Sequence, residues 1–164
     1  MVRMRAGEQA RVVLRQDSGD ALDIAGNGYW NWLTIAKRPI EVAVDDTRLF
    51  TVSSGAFTRV DYATPRIDDS HRFGDSVYIA GATGEYPICA SLAVPGVRFE
   101  LDVFVDGNRE VALAGGTGVA GGCGIVHLDA GARAEVRVIQ LGGRSSVVVD
   151  PDPRWNWLTV GPAR

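Results

Sequence analysis

Carboxylates recur in close pairs along this chain: Asp45 with Asp46, Asp68 with Asp69, Asp102 with Asp106, and Asp150 with Asp152. Acid–base hydrolysis and calcium ligation both need grouped carboxylates, but the spacing here suits neither. Adjacent residues on a strand point to opposite faces, and an Asp in a turn commonly bonds its own backbone. A calcium loop would carry more oxygen ligands at closer spacing; the loop at Asp68 and Asp69 is the best place for one. His71 lies in a polar loop and His127 on a strand, and no nucleophile elbow joins either to a serine. The glycine run GGTGVAGGCG at 115–124 lacks the lysine and following helix of a phosphate-binding loop. The expectation is therefore a protein that is not an enzyme, with no catalytic residues, no metal site and no cofactor.

The two cysteines, Cys89 and Cys123, both fall on segments that read as strands. The favoured reading is two buried thiols, because free Cys packs as a small hydrophobe; a disulfide is the alternative. Two isolated Cys offer no zinc spacing. A formal net charge of -3 gives no electrostatic footprint for nucleic acid or an anionic membrane. No apolar run approaches the roughly 20 residues that span a bilayer. The basic N-terminus has no apolar stretch behind it, so no secretory signal peptide is expected.

These residues must be positioned by strands. The stretch GEYPICASLAVPGVRFELDVFVDG at 84–107 is the organising one. Val97, Phe99, Leu101, Val103 and Val105 alternate with Arg98, Glu100, Asp102, Phe104 and Asp106, giving one apolar and one mostly charged face. Residues 86–94 form a second strand, with Pro95-Gly96 read as the turn between the two. Asp106-Gly107 reads as the next hairpin turn. Further strands are expected at 9–15, 29–35, 40–44, 48–52, 56–62, 76–80, 109–114, 125–128, 134–141, 145–149 and 154–160. A polar loop covers 63–76, and the glycine run reads as a long, mobile loop. No segment has a helical period. Many short strands with regular turn signals indicate an all-β sandwich or barrel. Residues 1–28 read as an N-terminal arm and 29–164 as the β-domain.

The pentapeptide Trp-Asn-Trp-Leu-Thr occurs at 30–34 and again at 155–159, and the two copies contain all four tryptophans. Each copy puts its Trp pair on one strand face and Asn with Leu on the other. Either the two copies stack as a cross-strand Trp cluster, or the Trp face is exposed and anchors a partner. Both hold if the cluster surrounds a symmetry axis between subunits.

The order of motifs from Ser54 to Ala163 resembles the jelly-roll heads of the tumour-necrosis-factor-like and complement-type globular-head superfamily. The carrying features are FTRVDYATPRIDDSHRFGDSVYIAGATGEYPICASLAV with its Gly84-Glu85-Tyr86, the FVDGNRE turn, the glycine run, and LDAGARAEVRV, where Ala132 stands in place of the usual Asp. The resemblance implies an antiparallel jelly-roll sandwich of about ten strands, assembled as a homotrimer. It places Tyr86 at the three-fold axis. Phe104, the one large apolar side chain on a charged face, is a second interface candidate, with a covering loop as its alternative. Trp30, Trp32, Trp155 and Trp157 complete the expected subunit interface. Asp68, Asp69, His71 and Arg72 form an exposed loop available to a partner.

The sequence-level reading is a non-enzymatic trimeric module of a tailed-bacteriophage virion: a minor tail protein, fibre tip or capsid decoration. Lys37 is the only lysine among the 17 basic residues, a bias associated with GC-rich coding. The expected partners are other virion proteins and a host-surface glycan or protein, and the location is the virion, assembled in the host cytoplasm. The alternative is a bacterial carbohydrate- or protein-binding module of the same fold.

Overall fold

The computed structural model describes residues 40–143 and 145–163. Internal contacts divide the chain into 1–36 and 37–164. The expected arm at 1–28, the strands at 9–15 and 29–35, and Trp30 and Trp32 lie outside the described residues.

Among the described residues there is no helix, and eleven strand segments follow one another. They are β1 (Val42–Val44), β2 (Phe50–Ser53), β3 (Thr58–Arg59), β4 (Ile67–Asp68), β5 (Phe73–Gly74), β6 (Val77–Ile79), β7 (Gly84–Val105), β8 (Asn108–Leu128), β9 (Arg133–Gln140), β10 (Ser146–Val149) and β11 (Trp157–Val160). All strand pairing is antiparallel, as the expected jelly roll requires.

Two long strands organise the fold. β7 and β8 form a hairpin closed by Asp106 and Gly107, both at positive φ (48° and 86°), as the Asp-Gly signal anticipates. The first half of β7 pairs with β11, which pairs with β1. Its second half pairs with β9, which also carries β3 and β6. One strand pair thus runs through both halves of a single nine-stranded sheet, called the first and second sheets below. Ile88, Leu158 and Val160 of the first sheet and Val103, Ala134 and Val136 of the second line one small cavity together with Tyr78 and Glu135. The two layers therefore face each other across a common core that includes Leu92, Phe99, Leu101 and Val138, all fully buried. A separate ribbon of β2 and β10 adds Val52, Val147 and Val149 to that core.

Two expectations about local structure are corrected. Pro95-Gly96 does not end a strand, because β7 runs on through it. Val94 pairs with Gly118 and Arg98 with the adjacent Thr117, so residues 95–97 bulge out of the ladder. Gly96, at φ 69°, takes the bend between the two sheets. A β-bulge re-aims a strand without breaking it.

The glycine run is likewise strand, not mobile loop: residues 115–124 pair with β7 throughout. Its composition answers a packing demand instead. A Cβ on Gly122 would lie 2.0 Å from the Leu113 carbonyl oxygen, so the two halves of β8 touch backbone to backbone where the sandwich closes. Gly118, at φ 79°, lets β8 pass from one layer to the other.

Candidate interaction surfaces

The outward face of the first sheet is set by strict alternation. Ile88, Ala90 and Leu92 enter the core, so Pro87, Cys89, Ser91 and Ala93 face away from it. Register carries this across the sheet: Trp157 lies beside Ser91 and Gly121, Thr159 beside Cys89 and Cys123, and Pro87 beside Ile125. Ala93 pairs with Val119. These rows hold no ionisable side chain apart from the bonded cysteines. Ile125 is 57% and Val119 43% exposed. The first charges appear one row beyond, where Glu85 pairs with His127. There His127 Nδ1 lies 3.0 Å from a Glu85 oxygen, and its Nε2 lies 3.8 Å from Asp129.

The second Trp-Asn-Trp-Leu-Thr copy leads onto this face. Asn156 and Leu158 are buried while Trp155 is 47% exposed and Trp157 half-buried, which is the division of faces read from the sequence. Asn156 has a structural task the sequence did not disclose. Its Oδ1 accepts from the Ala93 N–H at 2.8 Å, and its Nδ2 donates to Thr47 Oγ1 and the Asp150 carbonyl, both at 2.9 Å. One fully buried amide thus joins β7, the segment after β1 and the turn before β11, with both N–H donors and its oxygen engaged.

Cys89 and Cys123 are directly opposite each other on β7 and β8 and form a disulfide. This corrects the favoured reading of two free buried thiols. Sequence separation hid the pairing, because the hairpin register that aligns positions 89 and 123 is set by residues far from either.

Tyr86 and Phe104 do not offer the surface expected of them. Tyr86 alternates with the outward residues, is 1% exposed, and packs against Tyr78 with ring centroids 5.7 Å apart. Its hydroxyl donates to the Ala82 carbonyl at 2.7 Å and accepts from the Ala82 N–H at 3.2 Å. It is a core residue of its own chain.

Phe104 does point away from the core, but it is covered. Phe57 meets it edge-on at 5.0 Å, and the Arg137 guanidinium sits 4.3 Å from its ring centre. The covering-loop alternative therefore describes it. Beside it Asp102 is wholly buried on the nominally charged face. Arg109 donates to its Oδ1 at 2.9 Å while also lying over the Phe57 ring; its Oδ2 has no hydrogen-bond partner. Burial raises the Asp102 pKa above the ordinary carboxylate value, against the opposing pull of Arg109. Glu135 accepts from Arg137 Nε at 2.7 Å. The part of the second sheet's outward face around Phe104 and Asp102 is thus covered by its own chain.

At the end of β4, Asp68 receives the backbone N–H groups of Arg72 at 2.8 Å and Phe73 at 3.1 Å. This is turn chemistry. Arg72 Nε lies 3.5 Å from Glu41, and Asp69 and His71 are exposed. Among the described residues no group of three or more His, Cys, Asp or Glu side chains is placed to hold a metal ion.

No protein-family model and no curated protein sequence matches this chain. Solved structures do. Murine APRIL aligns with TM-score 0.57 at 14% identity, over 74% of this chain and 96% of its own. The globular domain of zebrafish complement 1qA protein aligns at 0.54 and 12%, over 77% and 97%. Eiger TNF from S. frugiperda aligns at 0.51 and 14%, over 77% and 94%. At such identities the likeness concerns the fold: the chain is an all-β antiparallel sandwich of the tumour-necrosis-factor-like jelly-roll type.

Proposed function

We propose that this chain is a non-enzymatic binding and structural module that works as a homotrimer. The observation that carries this is the uncharged outward face of the first sheet. Exposed Ile125 and Val119 beside Trp157, Ala93 and the glycine-rich β8 are the composition expected where protein meets protein, with charged residues kept to the rim. Copies of the same chain are the occupant: a head-to-tail contact of this face with another part of the same surface closes into a ring when the rotation closes. On this reading Trp155 and Trp157 belong to the subunit interface, while the exposed 69–71 loop stays free for an external partner.

The larger setting we infer is a tailed-phage virion, as a minor tail protein, fibre tip or capsid decoration contacting neighbouring virion proteins and a host-surface glycan or protein. The fold and the coding bias support it. Light scattering of the purified chain tests the trimer, with three chains per particle expected. A single-chain mass at every concentration overturns it, leaving Trp155 and Val119 as part of a ligand-facing patch in a carbohydrate- or protein-binding module. Peptides of this chain in purified virions of its phage test the setting, and their absence overturns it.

A further inference from the structure

Beside the β7–β8 turn, the outward face of the second sheet opens into a cleft of about 270 Å³. Ala134 and Val136 enter the core, so Arg133 and Glu135 of β9 face outward into it. Val77 of β6, 4% exposed, gives it a small apolar patch. Asp106 and Gly107 of the turn and Arg59 of β3 complete the lining. The turn is tied down: the Arg133 N–H donates to Asp106 Oδ1 at 3.0 Å, and the Asp106 N–H to the Arg133 carbonyl at 2.9 Å. The walls are therefore set before any ligand arrives, which lowers the cost of binding.

The charges of the cleft are incompletely used. Elsewhere on this face Arg109 and Arg137 each hold a carboxylate and lie over a ring. Arg59 reaches only Glu135 Oε2, at 3.5 Å, the far limit of a hydrogen bond, and so keeps most of its five N–H donors. The Arg133 guanidinium is exposed and has no hydrogen bond or ion pair among the described residues. Asp106 Oδ2 has none there either.

Two underused guanidinium forks suit a carboxylate or a phosphate, and the acidic neighbours decide between them. A phosphate carries up to about two negative charges and few donors, and Asp106 and Glu135 oppose it. A sugar carboxylate carries one charge and brings hydroxyl donors for those oxygens. The volume lies just under the roughly 300 Å³ at which drug-sized pockets begin, and Val77 offers a seat for the C–H face of one ring. A peptide would need a longer groove or a free strand edge, and β9 is already flanked by β7 on one side and by β3 and β6 on the other.

We propose that this cleft binds a carboxylated sugar residue of a glycan, with Arg133 and Arg59 holding the carboxylate and Asp106 and Glu135 accepting from its hydroxyls. The inference rests on the binding-module reading above and names the glycan chemistry of that reading. It does not need the trimer, because the cleft lies on the layer opposite the uncharged face.

The test titrates the isotope-labelled full chain with methyl glucuronide, methyl sialoside, neutral methyl glucoside, phosphate and acetate, following backbone amides by NMR. Saturable shifts are expected at Val77, Gly107 and Arg133 with at least one acidic sugar, and at least tenfold weaker binding of the other three probes. The tighter of the two acidic sugars separates a uronic from a nonulosonic acid. Arg133→Ala should weaken binding at least tenfold with an unchanged melting curve, since the side chain is exposed. Arg133→Lys, a charge without the fork, should restore only part. Equal binding of glucoside, phosphate or acetate overturns the assignment to a carboxylated sugar. Sugar-induced shifts that map to the 69–71 loop and survive Arg133→Ala overturn the cleft and leave the module reading standing. No shift with any probe also overturns the cleft, while particle mass and the virion peptides still decide the module reading.

Discussion

The two outward faces crossed by β7 make opposite arrangements for the side chains they carry. Along its second half the face holds charge and one large ring, and the chain itself covers them: Phe57 and Arg137 close over Phe104, and Arg109 reaches Asp102. Along its first half the face is small and uncharged, and Ile125 and Val119 stand open beside it. Polar groups taken from water need partners within the chain, and around Phe104 Arg109 and Glu135 supply them to all but the Asp102 Oδ2. Apolar groups make no such demand, and a face of this kind is left for another molecule.

Substitutions can break or sharpen that contrast. Phe104→Ala removes a ring packed on two sides and should lower stability by about 3 kcal/mol, measured by denaturant unfolding, with the particle mass unchanged. A change of mass without loss of stability would place Phe104 at an interface after all. Asn156→Ala strands the Ala93 N–H, the Asp150 carbonyl and the Thr47 hydroxyl together. It should cost about 2 kcal/mol and loosen the approach of Trp155 and Trp157 to the first sheet, read as increased amide exchange at Ala93.

The smallest effect is a pH dependence. Because burial raises the Asp102 pKa in the folded chain, the folded state binds its proton more readily than the unfolded one. Its contribution is most favourable at low pH and is lost as pH rises through the folded value. Asp102→Asn should therefore gain stability relative to wild type at pH 7 more than at pH 4. The reverse trend in paired melting curves would show the Arg109 pair outweighing burial.

What could be read from the sequence was local. The alternation from Val97 to Val105, the Asp106-Gly107 hairpin, and the division of Trp155 and Trp157 from Asn156 and Leu158 all follow from period and turn chemistry carried by neighbouring residues. What could not be read depended on distant partners. Gly115 to Gly124 resembles a loop until the Leu113 carbonyl is found against Gly122. Pro95-Gly96 resembles a turn until Arg98 resumes the same ladder. Asp102 belonged to a charged face by alternation, and only the arrival of Phe57 from an earlier segment buries its surroundings. The candidate interface was legible only in Trp155 and Trp157; Ile125, Val119 and Pro87 joined it through hairpin register, the same register that brings Cys89 onto Cys123.

The central claim is that copies of this chain close the first sheet's outward face. Light scattering of the bridged wild-type chain beside Ile125→Arg tests it most directly. Ile125 is exposed, so the substitution should move stability by no more than about 0.5 kcal/mol, while a charge placed in the uncharged rows should break assembly. The account predicts three chains per particle for wild type and one for the variant at the same concentration and with the same melting curve. Equal masses for the two proteins would contradict it.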